Sequence, residues 1–207
     1  MIQKITYRDQ VRILILDKMK SGEFKSGDTL SIAKIARELE VSVTPIREAL
    51  TQLEYSGIIK SVPNRGFIIP ELSTELAIEL YELVASLEVL AVENSQFSKS
   101  LISQLEEQQK VIEKSTNAID RIKSDMHFHT LLTSQYDNKT AQQMLLDLKT
   151  RIFFYEMEFM KSATFHEVSE NHHYQIIDHL KNGQIEAATR VIKANWLQIL
   201  NHINLDF

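Results

Sequence analysis

Between Arg8 and Met19 the apolar residues Val11, Leu14, Ile15 and Met19 recur at helical spacing, and Ser21-Gly22 offers a left-handed exit from that first helix. After the turn Lys25-Ser26-Gly27-Asp28, Ser31 caps a short second helix with Ile32, Ile35, Ala36 and Leu39 on one side. Val41-Ser42 interrupts the pattern. Ser42 is a good N-cap, and Pro45 is tolerated in a first helical turn, where N–H groups lack intrahelical partners. A third helix therefore runs to about Tyr55, rooted by Ile46, Ala49, Leu50 and Leu53. Two short helices across a tight turn make a helix-turn-helix. Gly57 ends the third helix, and the β-prone runs Ile58-Ile59-Lys60-Ser61-Val62 and Gly66-Phe67-Ile68-Ile69 around Pro63-Asn64-Arg65 predict a hairpin wing.

Pro70 closes a first domain expected over residues 1–70, leaving 71–207 for a second. Ser73 or Thr74 caps a long helix in which Leu76, Leu80, Leu83, Leu87 and Leu90 follow spacings of three and four. Amphipathic segments follow at about Ser98–Lys114, Ala118–Gln135, Lys139–Met160, Phe165–Lys181 and Gln184–Asn201, with no strand pattern or internal repeat. The fold class expected is mostly α: an N-terminal winged helix-turn-helix with a small β-hairpin wing, then an all-α antiparallel bundle of about six helices.

Composition narrows the chemistry. With no cysteine among 207 residues, disulfides, thiolate zinc sites and cysteine nucleophiles are excluded, leaving imidazole, carboxylate and amide ligands for any metal. No stretch is apolar enough to cross a bilayer, so a soluble, cytoplasmic protein with no membrane partner is expected. The net charge of −5 hides two opposed parts. Residues 1–70 hold 11 Lys/Arg against 8 Asp/Glu, whereas the remainder holds 12 against 20, so only the first domain suits a polyanion.

The run from Gly27 to Gly66, above all Val41-Ser42-x-Thr44-Pro45-x-Arg47-Glu48-Ala49-Leu50, resembles the winged-helix head of GntR-type bacterial transcription regulators. The helical remainder resembles the FadR/FCD branch, whose bundle senses small metabolites, often with a bound divalent metal. Physical chemistry agrees at the head. Ser42, Thr44 and Arg47, at the start of the third helix, suit a major groove, where Arg forks onto guanine and hydroxyls reach phosphates or bases. Arg65 and Gly66 at the wing tip suit the adjacent minor groove or phosphates. Arg37 is a further candidate; for it, as for Lys34 and Lys60, plain surface charge is the alternative. The chain departs from the family at Val43 and Ala33, where related heads often carry Arg. Val43 cannot read guanine but suits a thymine methyl.

Asp125 and His129 stand one helical turn apart and share a face. The string Asp125-Met126-His127-Phe128-His129 resembles the FCD metal pattern, which implies His173, rather than its neighbour His172, as the next ligand and puts Asn195 where the last ligand is normally His. His173 falls in register with Ile176, Ile177 and Leu180, and Asn195 with Ala188, Val191 and Ile199, so both are expected to face inward. Zinc or nickel is the implied ion. A hydrogen-bonded polar network without metal is the alternative. The Arg that commonly helps hold an acidic effector is replaced by Val84; Arg151 is the substitute candidate for a carboxylate clamp, with a plain salt bridge as its other reading. Phe153, Phe154 and Phe159 read as core.

Three function classes follow. The first is a ligand-responsive regulator, expected to repress, that binds an inverted-repeat operator in double-stranded DNA as a homodimer and answers to a small carboxylate. The second is a constitutive repressor whose bundle only dimerises. The third is a metal-dependent enzyme with Glu170 or Glu158 as base, which lacks a phosphate loop, a nucleophile elbow and a metalloprotease motif.

Overall fold

The computed structural model describes residues 6–159 and 163–201. The chain divides into two compact units, Met1–Leu72 and Ser73–Phe207. Met160 and the side chains of Glu158 and Phe159 lie outside the described residues.

In the first unit α1 (Tyr7–Lys20) starts at Thr6, whose side chain accepts from the Asp9 amide, and ends at Ser21 before Gly22 at φ 76°. β1 (Thr29–Leu30) precedes α2 (Ile32–Glu38) and α3 (Val43–Tyr55), which is followed by β2 (Lys60–Val62) and β3 (Gly66–Ile68). Val11, Ile15 and Met19 of α1 are buried, as are Ile35 and Ala36 of α2 and Ile46, Ala49, Leu50 and Leu53 of α3. These residues fix the outward face of α3, because a helix that buries one stripe must present the opposite one.

The wing is larger than the expected hairpin. β1 pairs antiparallel with β3, giving a three-stranded sheet in the order β1-β3-β2. Two residues carry no readable alternation, and their partner lies nearly forty residues later, so only tertiary pairing reveals β1. Ile58 and Ile59 also differ from expectation. They belong to the turn closing α3, where Gly57 takes φ 69° and the Ile58 amide bonds the Leu53 carbonyl; both side chains are buried and the strand starts at Lys60. At the wing tip Asn64 sits at φ 64° and Gly66 at φ 80°, backbone that Asn tolerates and Gly adopts freely.

The second unit contains α4 (Thr74–Glu93), α5 (Lys99–Lys114), α6 (Ala118–Leu132), α7 (Lys139–Phe159), α8 (Ala163–Lys181) and α9 (Ile185–Leu197), ending in a 3₁₀ turn over Gln198–Asn201. Packing runs α4 on α9, α9 on α8, α8 on α5, α5 on α6, α6 on α7 and α7 back on α4, which closes a ring of six helices. Ser73, Ser98 and Asn117 each accept a backbone N–H and so fix where α4, α5 and α6 begin.

The leucine row of α4 is split. Its buried face is made of Ala77, Leu80, Tyr81, Val84, Ala85, Glu88, Ala91 and Val92, while Leu83 and Leu90 remain 51% and 41% exposed. Small residues on that inner face let two neighbouring helices approach closely, and they leave room for the two large polar side chains, Tyr81 and Glu88. Phe153 is buried and Phe154 half-buried, in edge contact with each other.

Candidate functional site

Ser42, Val43, Thr44, Arg47 and Glu48 are all exposed on the first turns of α3. Ser42 occupies the N-cap position, yet its hydroxyl makes no capping bond, which leaves it available to an external acceptor or donor. Val43 is 49% exposed, an apolar surface that the fold itself does not use. Arg65 and Gly66 are exposed at the wing tip. Arg37 is exposed, and its Nε donates to the Ala33 carbonyl within the same helix at 3.3 Å.

Within the helical ring, α6 and α8 bring Asp125, His129 and His173 together, with one ligand atom from each within 4.8 Å of the others. His129 Nε2 lies 3.9 Å and His173 Nε2 3.5 Å from the Asp125 carboxylate. His173 is fully buried; neighbouring His172 is only half-buried.

Both rings are held by their other nitrogen. His129 Nδ1 lies 2.7 Å from Glu88 Oε2, and His173 Nδ1 lies 2.8 Å from Gln109 Oε1. A carboxylate or amide oxygen only accepts, so each Nδ1 carries a proton and each Nε2 is the nitrogen turned toward Asp125. His173 Nε2 is buried and has no hydrogen-bond partner. Phe128 stacks on His173 at 4.1 Å and Trp196 lies 4.4 Å from His129, fixing both ring planes.

Glu88 organises this arrangement. Besides His129 it takes the Trp196 Nε1–H at 2.7 Å, and its Oε1 lies 2.5 Å from Lys149 Nζ. Burial pushes its pKa up, but His129 and Lys149 more than reverse that and hold it at about 2. Burial raises the Asp125 carboxyl and pushes His173 well below the ordinary imidazole range. Such a lowered pKa keeps His173 neutral, the form that binds a metal.

A small cavity, about 10 Å³ or roughly one water or ion, opens here. It is lined by Tyr81, Asp125, His129, Glu156, Ser169, Asn195, Trp196 and Gln198. Asn195 is buried, and its amide nitrogen donates to Ser169 Oγ at 3.3 Å. Glu156 accepts from the Tyr81 hydroxyl at 2.6 Å; burial, then the nearby Asp125 charge, raise its pKa to about 8.

The donor set fits a divalent ion. Two oriented imidazoles and a carboxylate converge, one imidazole lone pair has no other partner, and polar groups on the remaining side can take further positions. Arg151 does not join them. It is half-buried beside Tyr155, Glu79 and Asp147 and is not among the cavity-lining residues. Glu170 is paired with Arg121.

Sequence reasoning did not single out Glu88, Gln109, Lys149, Glu156, Tyr81 or Trp196 as site residues. A signal existed for two of them. Glu88 and Gln109 fall in helical register with otherwise apolar buried residues, Val84 to Val92 and Leu105 to Ile112.

Comparison with known proteins matches residues 79–197 to the FCD domain and residues 7–69 to the bacterial regulatory proteins of the gntR family. The chain belongs to the GntR-family regulators with an FCD domain. It is 29% identical over 189 residues to the uncharacterized HTH-type transcriptional regulator YdhC of Bacillus subtilis (strain 168), covering 88% of this chain and 84% of that protein. It is 31% identical over 140 residues to the Nta operon transcriptional regulator of Aminobacter aminovorans, covering 65% and 66%. Among solved structures, E. coli McbR/YncC superposes with a TM-score of 0.81 at 20% identity over 97% of this chain and 98% of that one. A putative GntR regulator from Rhodococcus sp. RHA1 gives 0.84 at 21% identity over the same shares. These families and relatives are transcriptional regulators, not enzymes. The regulator therefore pairs a DNA-binding head with an effector-binding bundle, and no helix among its described residues is long and apolar enough to cross a membrane.

Proposed function

We propose that this regulator is a cytoplasmic repressor that binds an inverted-repeat operator as a homodimer, is organised as a head over 1–70 and a bundle over 71–207, and responds to occupancy of a divalent-metal site. Asp125, His129 and His173 supply the protein ligands, with Asn195 at the fourth corner. The observation that carries the metal site is the buried, unpartnered Nε2 of His173, aimed at Asp125 beside the oriented His129. A hydrogen-bonded network without metal would give that nitrogen a donor.

At the head, Ser42, Thr44 and Arg47 read the major groove while Arg65 and Gly66 meet the flanking backbone or minor groove; Arg37 adds a phosphate contact. Their shared exposure on one end of α3 and on the wing supports this assignment. The homodimer is supported by α4. An isologous interface pairs residue i with j and j with i. Leu76, Leu83 and Leu90 are spaced evenly about Leu83, and Leu83 and Leu90 are exposed, so two copies of α4 crossing antiparallel at Leu83 set leucine against leucine. A carboxylate effector, as the resemblance implies, would need a cation, for which Arg151 is the candidate, although it is not among the residues lining the small cavity.

The test is selection of bound sites from random DNA, followed by anisotropy titration of the selected site with native and chelator-stripped protein. An inverted repeat, two chains per site and chelator-dependent affinity are expected. A single half-site bound by one chain refutes the dimer, and equal melting temperatures with and without chelator or added zinc and nickel refute the metal.

A further inference from the structure

Resting on the reading of the head given above, we infer that Val43 is a base-reading residue of this chain: its side chain takes up the 5-methyl group of a pyrimidine in the major groove, within two base pairs of the guanine that Arg47 reads. That methyl belongs to thymine or to 5-methylcytosine, and the contact is the same for both.

The fold leaves this apolar side chain unused. Val43 is the first residue of α3 and is 49% exposed. The core of the helix is built from Ile46, Ala49, Leu50 and Leu53 further along, each fully buried. Valine is a poor choice for a solvated first turn, since β-branching lowers helix propensity and apolar surface is disfavoured in water.

Its neighbours place it on the reading surface. Ser42, Thr44, Arg47 and Glu48 are exposed around it, and the Ser42 hydroxyl makes no capping bond. Val43 and Arg47 stand four residues apart on one face. Four residues advance about 6 Å along a helix, less than two base-pair steps of about 3.4 Å. A guanidinium forking onto guanine at Arg47 therefore brings the γ-methyl groups of Val43 against the adjoining base edges.

Among those edges only the pyrimidine 5-methyl suits an aliphatic group. Guanine, adenine and unmethylated cytosine present donors and acceptors that valine would desolvate without replacing their hydrogen bonds. Rigidity adds to the contact. One χ1 rotamer dominates for valine in a helix, so its methyls are already aimed and little entropy is lost on docking. Thr44 carries the other exposed methyl on this turn, beside a hydroxyl that can take polar partners, and it is the control.

The experiment uses full-length protein and the operator obtained from random DNA, titrated by anisotropy. Each thymine is replaced in turn by deoxyuridine, which removes the methyl group and nothing else. Withdrawing one buried methyl corresponds to about a fourfold loss of affinity, expected at one thymine in each half-site for the wild type and at none for Val43→Ala. Thr44→Ser is expected to keep the loss. With cytosine at that position, 5-methylation is expected to raise affinity about fourfold. Equal affinity on thymine and deoxyuridine throughout, a loss that persists in Val43→Ala, a loss abolished by Thr44→Ser, or 5-methylcytosine no better than cytosine overturns the inference. Arg47→Ala separates this contact from the reading on which it rests. If it lowers operator affinity while the deoxyuridine series is flat, the head assignment stands and only the Val43 contact falls; if neither changes binding, both fall.

Discussion

Removing Glu88 tests the centre most directly, because this one side chain satisfies three buried groups. Glu88→Ala leaves the Lys149 ammonium buried without its carboxylate, and it strands the His129 Nδ1–H and Trp196 Nε1–H. Breaking a buried charged pair on one side costs about 3–5 kcal/mol. The helical unit Ser73–Phe207 spans 135 residues, for which the melting entropy is about 0.28 kcal/mol per kelvin. The expected fall in Tm is therefore about 11–18 °C by differential scanning calorimetry of the metal-free protein. Replacing both charges, Glu88→Met with Lys149→Met, is expected to recover at least half of that loss, since an apolar pair carries no desolvation penalty. A fall below about 3 °C in the single variant would refute Glu88 as the organiser. Glu88→Gln adds a second readout. It keeps an oxygen that can accept from His129 Nδ1 but removes the charge behind it, so ion affinity is expected to drop about tenfold, together with a fall in Tm from the buried Lys149 left without its carboxylate.

Arg47→Ala is expected to cost about 1–3 kcal/mol at the selected operator and little on random DNA, whereas Arg65→Ala should weaken both and flatten the salt dependence. Leu83→Glu places two carboxylates at the centre of the α4 pairing; sedimentation velocity should show monomer, with operator affinity falling alongside. Glu156 makes the metal-free protein pH-sensitive. Its folded pKa of about 8 lies above the ordinary 4.5, so its contribution is present below pH 4.5 and lost as pH rises through about 8. Urea titrations across that window should show stability declining with pH in the wild type and a flatter profile in Glu156→Gln. Glu88 acts with the opposite sign: its folded pKa of about 2 gives a contribution present above 4.5 and lost as pH falls toward 2.

Local physics wrote the element plan into the chain. Ser31 and Ser73 cap helices where their spacing before apolar residues indicated, Gly57 takes the left-handed exit after α3, and Asp125 and His129 share a face because they are one turn apart. These features depend on residues three or four positions away, which a sequence displays directly. The motif around Ser42 to Leu50 likewise sufficed for the family, since it compresses a surface and its supporting core into one helix.

The remainder depended on which faces meet. Strand β1 exists only because β3 comes back to pair with it, and two residues hold no period of their own. Two leucines of α4 stay exposed because Ala77, Val84, Ala85 and Ala91 occupy the inner face, so hydrophobicity alone did not say which stripe would be buried. Glu88 meets His129 across 41 residues and Trp196 across 108, and Glu156 meets Tyr81 across 75. Spacing along the chain marked Asp125 and His129 as a pair. Only the closed ring of helices decided that Glu88 orients one imidazole and Gln109 the other, that Glu156 shares their cavity, and that Arg151 does not, because the energy of a buried charge is set by neighbours that folding brings from distant parts of the chain.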